Sequence, residues 1–415
     1  MHYFYSCFVS FFGILLKILA LFHTKIGLFV KGRESVFTQL KESITSSDKV
    51  LWMHCASLGE FEQGRPVMEE WKREFPSHKI VLTFFSPSGF EVQKNYEHAD
   101  LILYLPLDTL SNAKTFLKFL RPELAVFVKY EFWPNYLRIL QQCKIPTILI
   151  SGIFRENQVF FKPYGSWMRA KLESFSHFFV QDEASVALLN SVGFENTTMA
   201  GDTRFDRVNT IVQRDNSLDF IARFKGDAKV LVAGSTWKED EDLLVDYISN
   251  STSDTEKYII APHNINKEAI LKLKNSLKEK AVLYSEREHK TLENYTVFII
   301  DTIGLLTKIY SYASVAYVGG GYTKSGVHNV LEPATFGVPI VIGPNYAKFK
   351  EVQDLVSRNA CLVTNDTISA TKTLNELFQN NILRNEKGNS SRSYIEESLG
   401  ATSKINIYLK QLLAT

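Results

Sequence analysis

The chain has 415 residues, and at roughly 150 residues per domain that length points to two or three domains and excludes a single small binding module. Its residues are 45% hydrophobic and 22% charged, which excludes global disorder and a polytopic membrane protein. Lys+Arg 47 against Asp+Glu 45 leaves a formal net charge of +2, too balanced for a duplex nucleic-acid partner held on a broad basic surface.

In chain order, Phe4 to Phe22 is almost wholly apolar, interrupted only by Ser6, Ser10, Gly13 and Lys17. About twenty apolar residues cross a bilayer, and the segment lacks the small-residue ending of a secretory signal. Residues 1–30 are therefore expected to form a membrane-anchor helix that spans or lies in the interface. Lys17, Lys25, Lys31 and Arg33 lie within or after the run and no Lys or Arg precedes it, so the remaining chain is expected in the cytoplasm. Lys17 also suits a soluble, buried amphipathic helix. Cys7, Cys55, Cys143 and Cys361 are scattered without a CxxC pair, and neither a disulfide framework nor a zinc site is expected.

After this segment, apolar runs such as KVLWMHCA, KIVLTFF, ADLILYLPL, LAVFVKYEFW and IPTILISGIF alternate with helical patterns. A second set follows: KVLVAGST, KYIIAPH, VFIID, VAYVGGG and VPIVIG. Strand, helix, strand in repetition implies an α/β fold of parallel sheets covered on both faces. Between about Arg207 and Ala228, where QRDNS has little apolar content, the pattern reads as a linker. Two Rossmann-like, doubly wound lobes are expected over residues 31–210 and 211–395. Over residues 396–415 the apolar stripe of SKINIYLKQLL suggests a helix packing back on the first lobe. Ligands should bind at the carboxyl ends of the strands, with the cleft between lobes the first place to look.

Five turns at those strand ends carry polar groups. In HCASLGEFEQG, Glu60 opens a helix, where it is either an acid favoured by the helix macrodipole or a general base reaching an acceptor hydroxyl. In KYEFWPN, Glu131 follows a buried strand and needs a partner, either backbone N–H groups or a role in the site. SPSG at 86–89 is a weak anion nest. Gly234, Ser235 and Thr236 end the strand VLVAGST with amides and hydroxyls suited to phosphate or carboxylate. The Walker A and GxGxxG spacings are absent, and the acidic run 239–242 reads as a solvated first turn, so no metal is assigned. The fifth turn is VAYVGGGYTKSGVHNVLEPATFGVPIVIGPN, Val315 to Asn345. Its glycines could admit a phosphate close to backbone, and Glu332, on a helix opened by Asn329, could accept both hydroxyls of a ribose.

The motifs ASLGE, AGST, DTIGLL, VGGG, HNVLEPA and GVPIVIGP, in this order along nearly the whole chain, resemble the 3-deoxy-D-manno-octulosonic acid (Kdo) transferases of lipopolysaccharide assembly. The resemblance implies a GT-B fold, CMP-Kdo as donor, and a lipid A precursor, lipid IVA, as acceptor at the cytoplasmic face of the bacterial inner membrane. It implies no metal and no cofactor. It places the general base on Glu60 and a transition-state-supporting carboxylate on Glu131. A further cation falls on Arg204 in GDTRFD, where the family usually has Lys. It also places CMP contacts on Pro262 and His263, on Ile303, Gly304 and Leu305, and on Asn329, Val330, Leu331 and Glu332. His263 stands where the family commonly has Arg, and Ile303-Gly304-Leu305 where it has MGE-like residues, so the phosphate would be met by backbone amides or by a protonated His263. The alternatives are a membrane-tethered nucleotide-sugar binding protein without transferase activity and a GT-B-type sugar-nucleotide epimerase.

Overall fold

In the computed structural model, which describes residues 2–414, the strand runs form two all-parallel sheets of seven strands each. The first sheet holds β1 (Val50–Cys55), β2 (Lys79–Phe84), β3 (Leu101–Tyr104), β4 (Leu124–Val128), β5 (Thr147–Gly152), β6 (His177–Val180) and β7 (Thr197–Met199), in the order β3-β2-β1-β4-β5-β6-β7. The second holds β8 (Lys229–Thr236), β9 (Glu256–Pro262), β10 (Ala281–Leu283), β11 (Val297–Ile299), β12 (Val315–Val318), β13 (Ile340–Ile342) and β14 (Cys361–Val363), in the order β10-β11-β9-β8-β12-β13-β14. Central strands such as β1 and β4 are buried at every position, because helices cover both faces of a parallel sheet. Along β1, Val50 and Trp52 enter one core cluster while Leu51, Met53 and Cys55 enter another, as a two-residue period requires.

The chain divides into two compact units, Met1–Asp206 with Leu399–Thr415, and Arg207–Ser398. In the first unit the strand order reverses at β1 and β4, in the second at β8 and β12. Such reversals leave a crevice at the strands' carboxyl ends. Most of the stretch that reads as a linker is helical, Thr203–Val212 and Asp219–Lys225. Ile221 and Phe224 are fully buried in the second of these helices, which gives that polar-looking segment its anchorage.

The carboxyl-terminal helix Ala401–Ala414 places Ala401, Ile405 and Leu409 in the cluster that also holds Met53, Leu82 and Val126 of the first sheet. Asp206 fixes its start, accepting from the N–H groups of Gly400 at 2.6 Å and Thr402 at 2.7 Å, the role of a capping carboxylate.

The amino-terminal segment departs from expectation. It is two helices, His2–Leu19 and Thr24–Lys31, separated by a turn closed by Leu21 N–H to Ile18 O and Phe22 N–H to Leu19 O. Among the described residues no helix is long and apolar enough to cross a membrane, so a spanning anchor over 1–30 is corrected. Ser6, Val9, Gly13 and Leu16 form the less exposed stripe of the first helix, at helical spacing. Asn135 Nδ2 donates to Ser6 Oγ at 3.1 Å, Tyr5 packs its ring 5.8 Å from that of Trp167, and a Cβ on Gly13 would meet Leu107 at 2.8 Å. Two of the polar interruptions, Ser6 and Gly13, thus belong to a docking face on the first unit. The opposite side, with Phe8 and Phe11, is about two-thirds exposed.

Leu409→Ala, which empties a fully buried position, is expected to cost about 2–5 kcal/mol. Amide hydrogen exchange should speed up in the first sheet and stay unchanged in the second.

Candidate active site

Glu60 sits in the first turn of the helix Leu58–Glu74, which starts directly after β1. The Ser57 side chain makes no capping bond; Glu60 Oε2 folds back instead to accept the Ala56 N–H. One turn on, a Cβ at Gly64 would lie 2.7 Å from Met53 Sδ and 3.2 Å from Cys55 Sγ, so only glycine lets this helix ride so close over β1. Glu60 is 8% exposed. Burial, and then the charge of Glu131, push its pKa from 4.5 up to about 7, against the pull of Lys129 and of the Ala56 and Ser57 N–H groups. The helix-start role and the base role therefore coincide in one carboxyl group. Its raised pKa costs stability as pH climbs from 4.5 to 7, where the unfolded chain is ionised and the folded one still holds the proton.

Glu131 follows β4, the neighbour of β1, in a turn where Lys129 takes φ +67°. Of the two readings the sequence leaves open for it, backbone N–H groups do not supply its partners for Oε2. Oε2 lies 2.7 Å from Trp133 Nε1 and 3.1 Å from Nε2 of the fully buried His54. Arg204 opens the helix Thr203–Val212 and grips Asp202 Oδ2 through Nε at 2.9 Å and Nη2 at 2.7 Å. Burial pushes Asp202 up, but Arg204 outweighs it and holds the carboxyl below its ordinary range. Gln63 Nε2 donates to the same Oδ2 at 3.1 Å, which ties Arg204 to the Glu60 helix. SPSG is spent locally: Ser86 Oγ accepts from Ser88 N–H at the start of Pro87–Gln93.

In the second unit, Gly234, Ser235 and Thr236 are the end of β8 rather than a free turn, with a bulge against β9 and Ser235 at φ +54°. The acidic run is not a solvated turn throughout. Asp240 is fully buried, accepting from Tyr317 Oη at 2.7 Å, Gly320 N–H at 2.8 Å and Trp237 N–H at 2.9 Å. It pins the glycine loop to the helix Lys238–Asn250. The glycines are required by protein packing: a Cβ on Gly319 would come within 2.7 Å of Thr236 Cα, one on Gly320 within 2.9 Å of the His328 ring, and one on Gly321 within 2.5 Å of Gly343 N. Among the described residues no group of three or more His, Cys, Asp or Glu could hold a metal ion.

Glu332 lies in the short helix Leu331–Thr335. Its Oε1 accepts from Asn329 Nδ2 at 3.0 Å and its Oε2 from Thr307 Oγ1 at 2.9 Å, so both oxygens are fixed in orientation. Val330 and Leu331 are core residues, fully buried, and only their backbone can meet a ligand. Ile303 is 85% exposed, Gly304 takes φ +93°, and Leu305 leads into the helix Leu306–Ile309. His263 stacks against two rings that neighbour each other, 4.9 Å from Trp237 and 4.3 Å from His328. Burial lowers the pKa of His263, and burial followed by His263 brings His328 to about 4. In the chain without ligand, burial thus works against the protonated form of His263. Thr236 and Pro262 line a cavity of about 760 Å³ with Trp237, Asn264 and Asn266. Asn329 and Glu332 are not among its lining residues.

Sequence reasoning passed over His54, Trp133 and Thr307. His54 was detectable in principle, as a strongly polar side chain inside the buried strand VLWMHC, where it must find a partner.

Residues 31–207 match the family model described as 3-Deoxy-D-manno-octulosonic-acid transferase (kdotransferase). The chain is 28% identical over 344 residues to the 3-deoxy-D-manno-octulosonic acid transferase of Aquifex aeolicus, covering 81% of this chain and 88% of that protein. It is 26% identical over 380 residues to the transferase of the same name from Haemophilus influenzae, covering 88% and 87%. Among solved structures, the UDP-GlcNAc 2-epimerase of Neisseria meningitidis bound to UDP-GlcNAc aligns with a TM-score of 0.60 at 15% identity, over 88% of this chain and all of that one. That likeness is one of fold, and the fold is GT-B.

In ¹³C-detected titrations, the Glu60 carboxyl is expected to turn over near pH 7. In Glu131→Gln it should titrate lower, yet stay above 4.5 because burial remains.

Proposed function

The chain belongs to the 3-deoxy-D-manno-octulosonic-acid transferase family, and from that premise we propose that it is the glycosyltransferase that moves Kdo from CMP-Kdo to lipid IVA in lipopolysaccharide assembly. The observation that carries the reading is Glu60, a nearly buried carboxyl at the carboxyl end of β1 whose pKa is raised to about 7. A general base works best with a pKa near the operating pH.

Glu60 takes the proton of the acceptor hydroxyl. The oxygen attacks the anomeric carbon of Kdo, the bond from that carbon to the CMP phosphate breaks, and direct displacement inverts configuration. Glu332, with Asn329 and Thr307 steadying its two oxygens, accepts the ribose hydroxyls of CMP. Backbone amides around Gly304 and the Ser235 bulge stabilise the departing phosphate. The reaction uses no metal and no cofactor. The binding-protein alternative has no use for a carboxyl of raised pKa beside a second carboxylate, and the epimerase alternative rests on a likeness of fold at 15% identity.

The exposed apolar side of the helix His2–Leu19 supports a membrane role of a different kind from a spanning anchor. Phe4, Phe8, Phe11 and Ile14 face outward, and Lys17, Lys25 and Lys31 are exposed beside them. Such a helix suits the headgroup region of an anionic surface, and this supports a position at the cytoplasmic face of the inner membrane for the proposed enzyme.

Incubation with CMP-Kdo and lipid IVA in detergent and EDTA, followed by mass spectrometry, should show the lipid gaining one or more Kdo units. Glu60→Ala should abolish the gain while still binding CMP; full activity in that variant overturns the mechanism. Phe8→Asp with Phe11→Asp should prevent sedimentation with anionic vesicles and leave activity in detergent within about twofold.

A further inference from the structure

The hydrogens around Glu131 can be assigned from donor chemistry, since an indole nitrogen only donates and a carbonyl only accepts. Trp52 Nε1 lies 2.9 Å from Thr83 Oγ1, so that oxygen accepts there and must send its own hydrogen elsewhere. Two acceptors are in reach, His54 Nδ1 at 2.8 Å and Met53 O at 3.4 Å. The shorter contact takes it. His54 Nδ1 is then an acceptor, the imidazole proton sits on Nε2, and Nε2–H donates to Glu131 Oε2 at 3.1 Å.

The opposite tautomer fails at the far end of the ring. It would satisfy Nδ1–H on Thr83 Oγ1 or on Thr83 O at 3.2 Å, but it would set a bare Nε2 lone pair 3.1 Å from a carboxylate oxygen. The Trp133 indole hydrogen could serve that lone pair at 3.1 Å only by giving up Glu131 Oε2 at 2.7 Å, and two facing acceptors in a buried place are costly. Trp133 Nε1 is 3.1 Å from His54 Nε2 and 2.7 Å from Glu131 Oε2; with Nε2 already protonated, the indole hydrogen goes to the carboxylate.

We propose that Thr83 sets the tautomer of His54, and that His54 thereby acts as a positioning residue that holds Glu131 as an acceptor through Nε2–H. The chain of donors runs one way, from Trp52 through Thr83 and His54 to Glu131. None of the first three touches substrate; Trp52, His54 and Thr83 are fully buried. With two N–H donors on Oε2, Glu131 is held as an acceptor beside Glu60. If Nε2–H is lost, Oε2 faces a bare ring nitrogen and the carboxylate beside Glu60 is no longer held in place.

The test reads the tautomer directly, by two-bond ¹⁵N–¹H spectra of the histidine rings in the full chain, with His54 assigned from the signal missing in His54→Gln. The expected result is protonated Nε2 and bare Nδ1 in the wild type and in Thr83→Ser, with the pattern inverted or mixed in Thr83→Val. Kinetics on CMP-Kdo and lipid IVA, which rest on the function proposed above, should show kcat about tenfold lower in Thr83→Val, both KM values within about twofold, and recovery in Thr83→Ser. A wild-type His54 protonated on Nδ1 overturns the proposal, whether or not any variant folds. So does a Thr83→Val protein that keeps the Nε2 tautomer or the full kcat, or a Thr83→Ser protein that fails to recover. A wild type without Kdo transfer would sink the proposed function alone, because the tautomer is read without turnover.

Discussion

Two carboxyl groups, Glu60 and Glu131, hang from the carboxyl ends of the adjacent strands β1 and β4, and each is only 8% exposed. Charges of like sign that are close and nearly dry cannot both ionise freely, so the surrounding structure has to decide which one holds the proton. It does so by unequal provision. Glu131 is given two ring nitrogens. Glu60 is given burial, the neighbouring negative charge and backbone N–H groups too few to offset them. The strand-order reversal puts the two groups side by side, and Gly64 lets the Glu60 helix come close enough for the arrangement to be dry.

The second unit meets a different demand with similar means. There the strand ends are crowded, and glycines at 319–321 admit backbone against backbone. Asp240 closes that crowding by bonding the glycine loop, the strand residue Tyr317 and its own helix start. The outcome is a rigid rim on which Glu332 is held through both oxygens. A group oriented before its ligand arrives loses less entropy on binding.

Much of this was legible in the sequence. Continuous apolar runs ended by small residues gave parallel strands, and the strand ends gave Glu60, Glu131 and Glu332 as candidates. What the sequence hid were partnerships formed across the sheet. For Glu131 the sequence leaves backbone N–H groups and a site role both open, because its ring partners come from β1, 77 residues away at His54, and from an indole whose direction only the fold determines. Asp240 looked solvated because a helix's first turn is usually exposed; here the turn lies beneath the loop after β12. The amino-terminal helix misled for a related reason: Ser6 and Gly13 read as flaws in a spanning segment, and spacing alone did not say that their face rests on Asn135 and Leu107.

The base role proposed for Glu60 requires its raised pKa, and the pH dependence of kcat/KM for lipid IVA at saturating CMP-Kdo reads that pKa in turnover. Below about pH 7 the rate should fall tenfold per pH unit as Glu60 takes up its proton, and in Glu131→Gln that limb should move to lower pH. A rate that holds level from pH 7 down to the ordinary carboxylate range, or a limb that stays in place when Glu131 is neutralised, would contradict the account.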